Sequence, residues 1–166
     1  LFHVRSRRAG HDIRLPGTKA VILSEFIAET VTSRQHGQRA ADMGADHPEC
    51  PARIHAIEDQ LIASGLLPFL FSHEAPAASR EQLARVHTGD YVDSIFQRSP
   101  SQGLVYLDPD TAMNPHSLEA ALHAAGANIK AVDLVMSGQA ENAFCNIRPP
   151  GHHAGRASAA GFCIFN

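Results

Sequence analysis

Two adjacent histidines, His152 and His153, stand directly after the run Arg148-Pro149-Pro150-Gly151. The segment before them, Phe144 to Ile147, is short and apolar. The paired prolines remove consecutive N–H donors, so neither a strand nor a helix continues through them and the chain must turn. Histidine is the side chain whose charge changes near neutral pH, and in α/β proteins ligands bind beyond the carboxyl ends of strands. This loop is therefore the first place to look for chemistry. Side chains alternate faces in an extended chain, so one imidazole is expected to face a substrate and the other the protein. A small-residue segment through Ala160 follows, and then a second apolar run, Phe162 to Phe165, expected as a strand.

Two other stretches carry chemistry-bearing residues: His47-Pro48-Glu49-Cys50-Pro51-Ala52-Arg53 and Leu107-Asp108-Pro109-Asp110-Thr111. The remaining candidates are weaker. Cys50, Cys145 and Cys163 have no C-x-x-C spacing, which suggests neither a disulfide framework nor a thiolate zinc site. Cys145 and Cys163 lie inside apolar runs, where a thiol behaves as a small hydrophobe, so a cysteine nucleophile is disfavoured. His47, His73, His87, His116 and His123 are scattered, with no i, i+4 pairing or carboxylate cluster that would make a three-ligand metal site.

The elements that must position these residues follow in chain order. Ala20 to Leu23 suits a buried first strand, and Thr30 to Ala45 reads as a loop. Pro51 opens a helix with Ile54, Ile57, Leu61 and Ile62 on one face, stopped by Gly65. Phe69 to Phe71 is a short strand candidate. Ser79 and Gln82 have capping-box spacing, and Thr88 can cap a helix carrying Tyr91, Val92, Ile95 and Phe96. Leu104 to Leu107 is the next strand candidate, with Asp108 and Asp110 at its carboxyl end. Leu118, Leu122, Ala125, Ile129, Val132 and Met136 then trace one stripe of a helix running from near Pro115 to before Gly138. Strand, helix and strand from Leu104 to Ile147 predict a right-handed βαβ unit with parallel strands, hence an α/β architecture.

The chain has 166 residues, of which 44% are apolar, enough for one domain with a core. A net charge of −3 provides no basic field, which argues against direct nucleic-acid recognition. No apolar run approaches eighteen residues, so no membrane-spanning helix is expected. A reducing, cytoplasmic setting is the default for this cysteine usage. Leu1 to Thr18 is basic and aperiodic, and is expected to be a disordered or non-native extension of a domain spanning 19–166. Asn166 closes an apolar run without a cap or polar tail, as if the domain continued beyond it.

The string R-P-P-G-H-H-A followed by G-F-C-x-F-N, together with the two stretches above in the same order, resembles the histone deacetylase family, in particular its class II-like bacterial members and the related acetylpolyamine amidohydrolases. The resemblance covers roughly residues 43 to 166. It implies a three-layer αβα fold with a parallel sheet, the deacetylase/arginase-like fold, of which this chain would be the amino-terminal part. It also implies zinc-dependent hydrolysis of an acetyl amide on lysine or a polyamine. His153 would be the general base and then the general acid, and His152 would sit behind it and tune the electrostatics. Gly161 and Phe162 would line the acyl-lysine tunnel, Asp110 would hold the substrate from the rim, and Arg53 would lie near the foot of the acetate pocket. The family's zinc ligands would lie beyond Asn166, and none is assigned within the chain. Family members usually carry a histidine where this sequence has Ala41. The competing reading from another class is an inactive fragment or binding module that keeps part of the substrate surface.

Overall fold

The computed structural model describes residues Phe2–Arg5, Asp12–Leu15, Ala20–Ser24 and 49–166. The expected loop from Thr30 to Ala45, the Ala41 position, and His47 and Pro48 lie outside the described residues. Phe2–Arg5 (β1) and Asp12–Leu15 (β2) pair antiparallel as a separate two-stranded ribbon within the segment expected to be an extension.

The main sheet is built on the apolar run at Ala20–Ser24 (β3), with Val21, Ile22 and Leu23 all buried. Such a strand needs cover on both faces, as parallel sheets do. Its neighbours are Leu70–Glu74 (β4) on one side and Asn142–Asn146 (β7) on the other, both parallel to it, in the order β4-β3-β7. In register, Val21 stands beside Ala143 and Leu23 beside Cys145. These residues share the sheet face covered by the helix Ser117–Met136 (α4). On the opposite face, the Asn146 amide Nδ2 donates to the carbonyl of Ile54, in the first turn of the helix Ala52–Ala63 (α1). Helices thus lie on both faces of a parallel sheet, the α/β arrangement expected.

Local signals account for most of the helices. Pro51 sits at the N-cap of α1, and Gly65 follows its end at φ 71°. Ser79 and Gln82 form a complete capping box on the short helix Arg80–Leu83 (α2). The Thr88 hydroxyl accepts from the Tyr91 N–H at the start of Gly89–Arg98 (α3), whose Tyr91, Val92 and Ile95 are buried. These three pack with Leu83, Met113, Ile164 and Phe165 into a core beside the candidate loop.

Three expectations are corrected. Leu104–Leu107 does not open a βαβ unit. Val105–Asp108 (β5) pairs antiparallel with Thr111–Met113 (β6) in a hairpin apart from the parallel sheet. The cause is the turn at Asp108-Pro109-Asp110, where the Asp108 carboxylate accepts the Asp110 N–H at 2.7 Å. Second, the large-residue stripe of α4 is not the buried one along its whole length. Leu118, Leu122, Ala125 and Ile129 pack at the edge of the core, but Val132 is 60% and Met136 80% exposed. The buried face is Ala120, Ala124, Ala127, Ala131 and Leu134, because small residues allow close approach. At Gly126 an added Cβ would stand 1.8 Å from the Pro76 carbonyl oxygen. Third, Phe162–Phe165 is not a strand. It is part of a buried turn, with Cys163, Ile164 and Phe165 facing the core.

Candidate functional site

The loop that carries the histidine pair begins where β7 ends. Arg148 is buried, and its guanidinium makes two parallel bonds to the equally buried Glu49 carboxylate, Nε to Oε1 at 2.9 Å and Nη2 to Oε2 at 2.6 Å. Bidentate charge-assisted pairs fix orientation as well as position. Glu49 therefore ties the first sequence stretch to the histidine loop. The same carboxylate accepts from Arg53 Nη1 at 3.0 Å, so Arg53 stands at the exposed side of an i, i+4 ion pair near the start of α1. The Arg148–Pro149 peptide is cis.

Gly151 lies against the far end of the loop, where an added Cβ would sit 2.4 Å from the Phe165 carbonyl oxygen. The Ala154 N–H then donates to the Gly151 carbonyl at 3.0 Å, closing a turn with His152 and His153 at its two central positions. This corrects the expectation that one imidazole faces a substrate and the other the protein. A turn does not alternate faces as a strand does, and both imidazoles emerge exposed, 4.2 Å apart between centroids and tilted by 54°.

A second tight turn braces the first. Ala160 and Cys163 exchange backbone hydrogen bonds at 3.2 and 2.9 Å around Gly161 and Phe162, whose φ values are 54° and 70°. Two positive φ values in succession are those of a type I′ turn. Glycine takes this conformation freely, whereas Phe162 holds it at a cost of roughly 1–2 kcal/mol. The Phe162 N–H donates to the Thr111 hydroxyl at 3.1 Å, which joins this turn to the β5–β6 hairpin. Because Asp108 is spent on the hairpin turn, Asp110 is left with an exposed side chain next to Thr111. Gly161 in turn backs His153: a Cβ there would meet the His153 ring carbon Cδ2 at 2.8 Å. The His153 N–H points to the Cys163 sulfur at 3.4 Å.

His152, His153, Gly161, Phe162 and, through Thr111, Asp110 thus form one connected arrangement. Arg53 joins it only through Glu49 and Arg148. Two contributors were not singled out from sequence. Glu49 had a local signal, a carboxylate four residues before Arg53 at a helix start. Thr111 had none. Burial raises the thiol pKa of both Cys145 and Cys163, which leaves neither activated as a nucleophile.

Among the described residues no group of three or more His, Cys, Asp and Glu side chains is placed to hold a metal ion. The residues described here do not supply a zinc-ligand set. No helix among them is long and apolar enough to cross a membrane.

A pair of exposed imidazoles on a braced turn, beyond the carboxyl end of a parallel strand, occupies the place where α/β folds bind ligands. The histone deacetylase domain model matches residues 47–166, and the chain belongs to the histone deacetylase family. It is 40% identical over 121 residues to the histone deacetylase-like amidohydrolase of Pseudomonas aeruginosa, covering 73% of this chain and 32% of that protein. The polyamine deacetylase HDAC10 of Homo sapiens is 36% identical over 130 residues, or 73% of this chain and 19% of that one. A crystal structure of the HDA15 HD domain matches with a TM-score of 0.75 at 30% identity, covering 91% of this chain and 41% of that chain. The chain spans a third or less of the length of these curated relatives.

Proposed function

We propose that this chain carries the proton-transfer loop of a zinc-dependent amidohydrolase that removes acetyl groups from an acetylated lysine, a polyamine or a similar amine. The observation that carries the reading is the His152–His153 turn, braced from behind by Gly161, whose turn partner Phe162 bonds Thr111, the residue after Asp110. The names of the relatives, an amidohydrolase and a polyamine deacetylase, point the same way. Zinc is the cofactor proposed for the intact protein, with its ligands beyond Asn166, and the proposed setting is the cytoplasm.

Amide hydrolysis needs one group to accept a proton from the attacking water and to return it to the leaving amine. His153 is proposed for both transfers, its ring held by Gly161 and its backbone by Cys163. His152 is proposed to set the electrostatics of its neighbour. Phe162 would form an apolar wall for a slim acylated side chain, and the exposed Asp110 carboxylate would hold the substrate's amine or backbone N–H groups at the rim. The resemblance puts Arg53 near the foot of the acetate pocket. Its ion pair with Glu49 favours support of Arg148 instead.

The test is the pH–rate profile of His153→Ala and His152→Ala in the intact protein, with metal content matched. His153→Ala should lower turnover by about two to four orders of magnitude with KM little changed. His152→Ala should mainly shift the pH dependence. Near wild-type turnover in His153→Ala would overturn the assignment.

A further inference from the structure

His87 lies outside the proposed chemistry, yet it is 2% exposed and bonded through both ring nitrogens. It follows α2, its own N–H donating to the Leu83 carbonyl, and it precedes Thr88, the cap of α3. Its Nδ1 stands 2.9 Å from the Gly155 carbonyl, and its Nε2 stands 3.0 Å from the Asn166 N–H. A carbonyl only accepts and a backbone amide only donates. The two partners therefore fix one form of the ring, neutral and protonated at Nδ1, without appeal to any other group.

The two backbone groups flank the histidine turn. Gly155 directly follows Ala154, which closes the turn. Asn166 follows Phe165, against whose carbonyl Gly151 is packed. The Asn166 side chain also donates from Nδ2 to the Ala154 carbonyl at 3.2 Å, so the line from His87 to the residue beside His153 is two hydrogen bonds long. Parallel ties run beside it: Thr88 N–H to the Arg156 carbonyl at 3.0 Å, and the Tyr91 hydroxyl to the Ile164 carbonyl at 2.7 Å. The imidazole packs against the rings of Tyr91 and Phe165, which also meet each other edge-on.

We infer that His87 is a positioning residue for the proton-transfer loop, its Nδ1–H tautomer spanning Gly155 and Asn166 and so setting the register of the His152–His153 turn. The inference rests on the proposed role of that pair. It also makes the loop acid-sensitive. A second proton on His87 would set an N–H against the Asn166 N–H and break that bond. Burial already holds the His87 pKa below the ordinary histidine value. The titratable group packed on the ring is the Tyr91 phenol of α3, which burial raises to about 12 and which is neutral throughout this range. From the loop, the groups facing His87 are the Gly155, Arg156 and Asn166 backbone and the Phe165 ring. Because the folded pKa is depressed, the stabilisation is complete above the unfolded value of about 6.5 and is lost as pH falls through the lower, folded value.

The experiment uses the intact protein with histidine-selective ¹⁵N labelling, followed by kinetics on two variants. His87 should show a protonated Nδ1 and a bare Nε2 at neutral pH, and the Asn166 amide should stay protected from exchange until the pH falls below the range in which an ordinary histidine titrates. His87→Leu should lose roughly 10- to 100-fold in kcat with KM within about threefold, and His87→Gln, which keeps a donor and an acceptor, should recover most of that loss. An Nε2–H tautomer, or a folded His87→Leu with kcat within about twofold of wild type, overturns the inference. If His87→Leu does not fold, the tautomer and the His87→Gln kinetics decide. The tautomer and exchange readouts need no turnover, so they stand or fall separately from the deacetylase reading, which is tested by His153→Ala.

Discussion

Gly161→Ala asks whether His153 acts from the place the structure gives it. The new Cβ would lie 2.8 Å from the His153 Cδ2, 3.1 Å from Cγ and 3.3 Å from Cβ. Carbon atoms pack best at about 3.5–4.0 Å, so the ring must retreat by about 0.7–1.2 Å. A displacement of about 1 Å in a proton-transferring group can cost on the order of 10²-fold in rate. The left-handed φ of 54° adds a stability cost of roughly 1–2 kcal/mol for any residue with a Cβ. Gly138 separates the two effects. It has a comparable φ of 72° but nothing within 4 Å of an added Cβ, and it lies past the end of α4, away from the loop. In thermal melts of the intact protein Gly138→Ala should therefore lose only the backbone cost, and Gly161→Ala at least as much. Only Gly161→Ala should lose kcat, by about 10- to 100-fold, in steady-state hydrolysis of an acetyl-lysine peptide or an acetylpolyamine. Equal turnover in the two variants would show that the ring's position against Gly161 does not matter, and the reasoning would fail.

Glu49→Gln removes the charge that holds buried Arg148, and denaturant unfolding should show a loss of about 3–5 kcal/mol. Arg53→Ala, which removes an exposed guanidinium from the same carboxylate, should cost no more than about 1 kcal/mol. Similar losses in the two variants would contradict the clamp described here. Gly126→Ala should reverse the usual sign for a glycine inside a helix. Instead of the gain of about 1 kcal/mol that alanine brings in an open helix, the clash with the Pro76 carbonyl should destabilise by about 2 kcal/mol or more, and a raised melting temperature would refute that crossing.

Much of the fold could be read from sequence wherever the determinant is local. The capping box at Ser79 and Gln82, the Thr88 cap, Pro51 at a helix start and the apolar run of β3 all act within a few residues, and the structure has each of them. The errors share a physical origin. Hydrophobic patterning picks out the largest side chains of α4, but the closest packing falls on its alanines and on Gly126. An apolar run such as Phe162–Phe165 is as compatible with a buried turn as with a strand, and only the two positive φ angles separate them. Asp108-Pro109-Asp110 is a strong turn signal, compatible with a strand end as well as with the middle of the hairpin that it forms. The candidate loop itself was legible because its prolines, glycines and histidines are contiguous. Its supports were not, since Glu49 meets Arg148 from 99 residues away and His87 meets Asn166 from 79 residues away. A single sequence carries no mark of such pairs.

The strand order β4-β3-β7 also has a consequence in time. β3 is the central strand and is made before both of its neighbours, and Leu23 finds its partner Cys145 only when β7 has been synthesised. At about 5–20 residues per second, translation separates the two strands by roughly 6–25 s. Through that interval the Val21–Leu23 run has at most one neighbour, and α4, which covers it, is made only late in the interval, leaving an open parallel edge of the kind that attracts other chains. The histidine turn is later still. The nascent protein therefore passes through a window in which its most apolar strand needs shelter, and a slow codon run or a chaperone shortage before β7 would show up as aggregation rather than as a loss of specific activity in the protein that does fold.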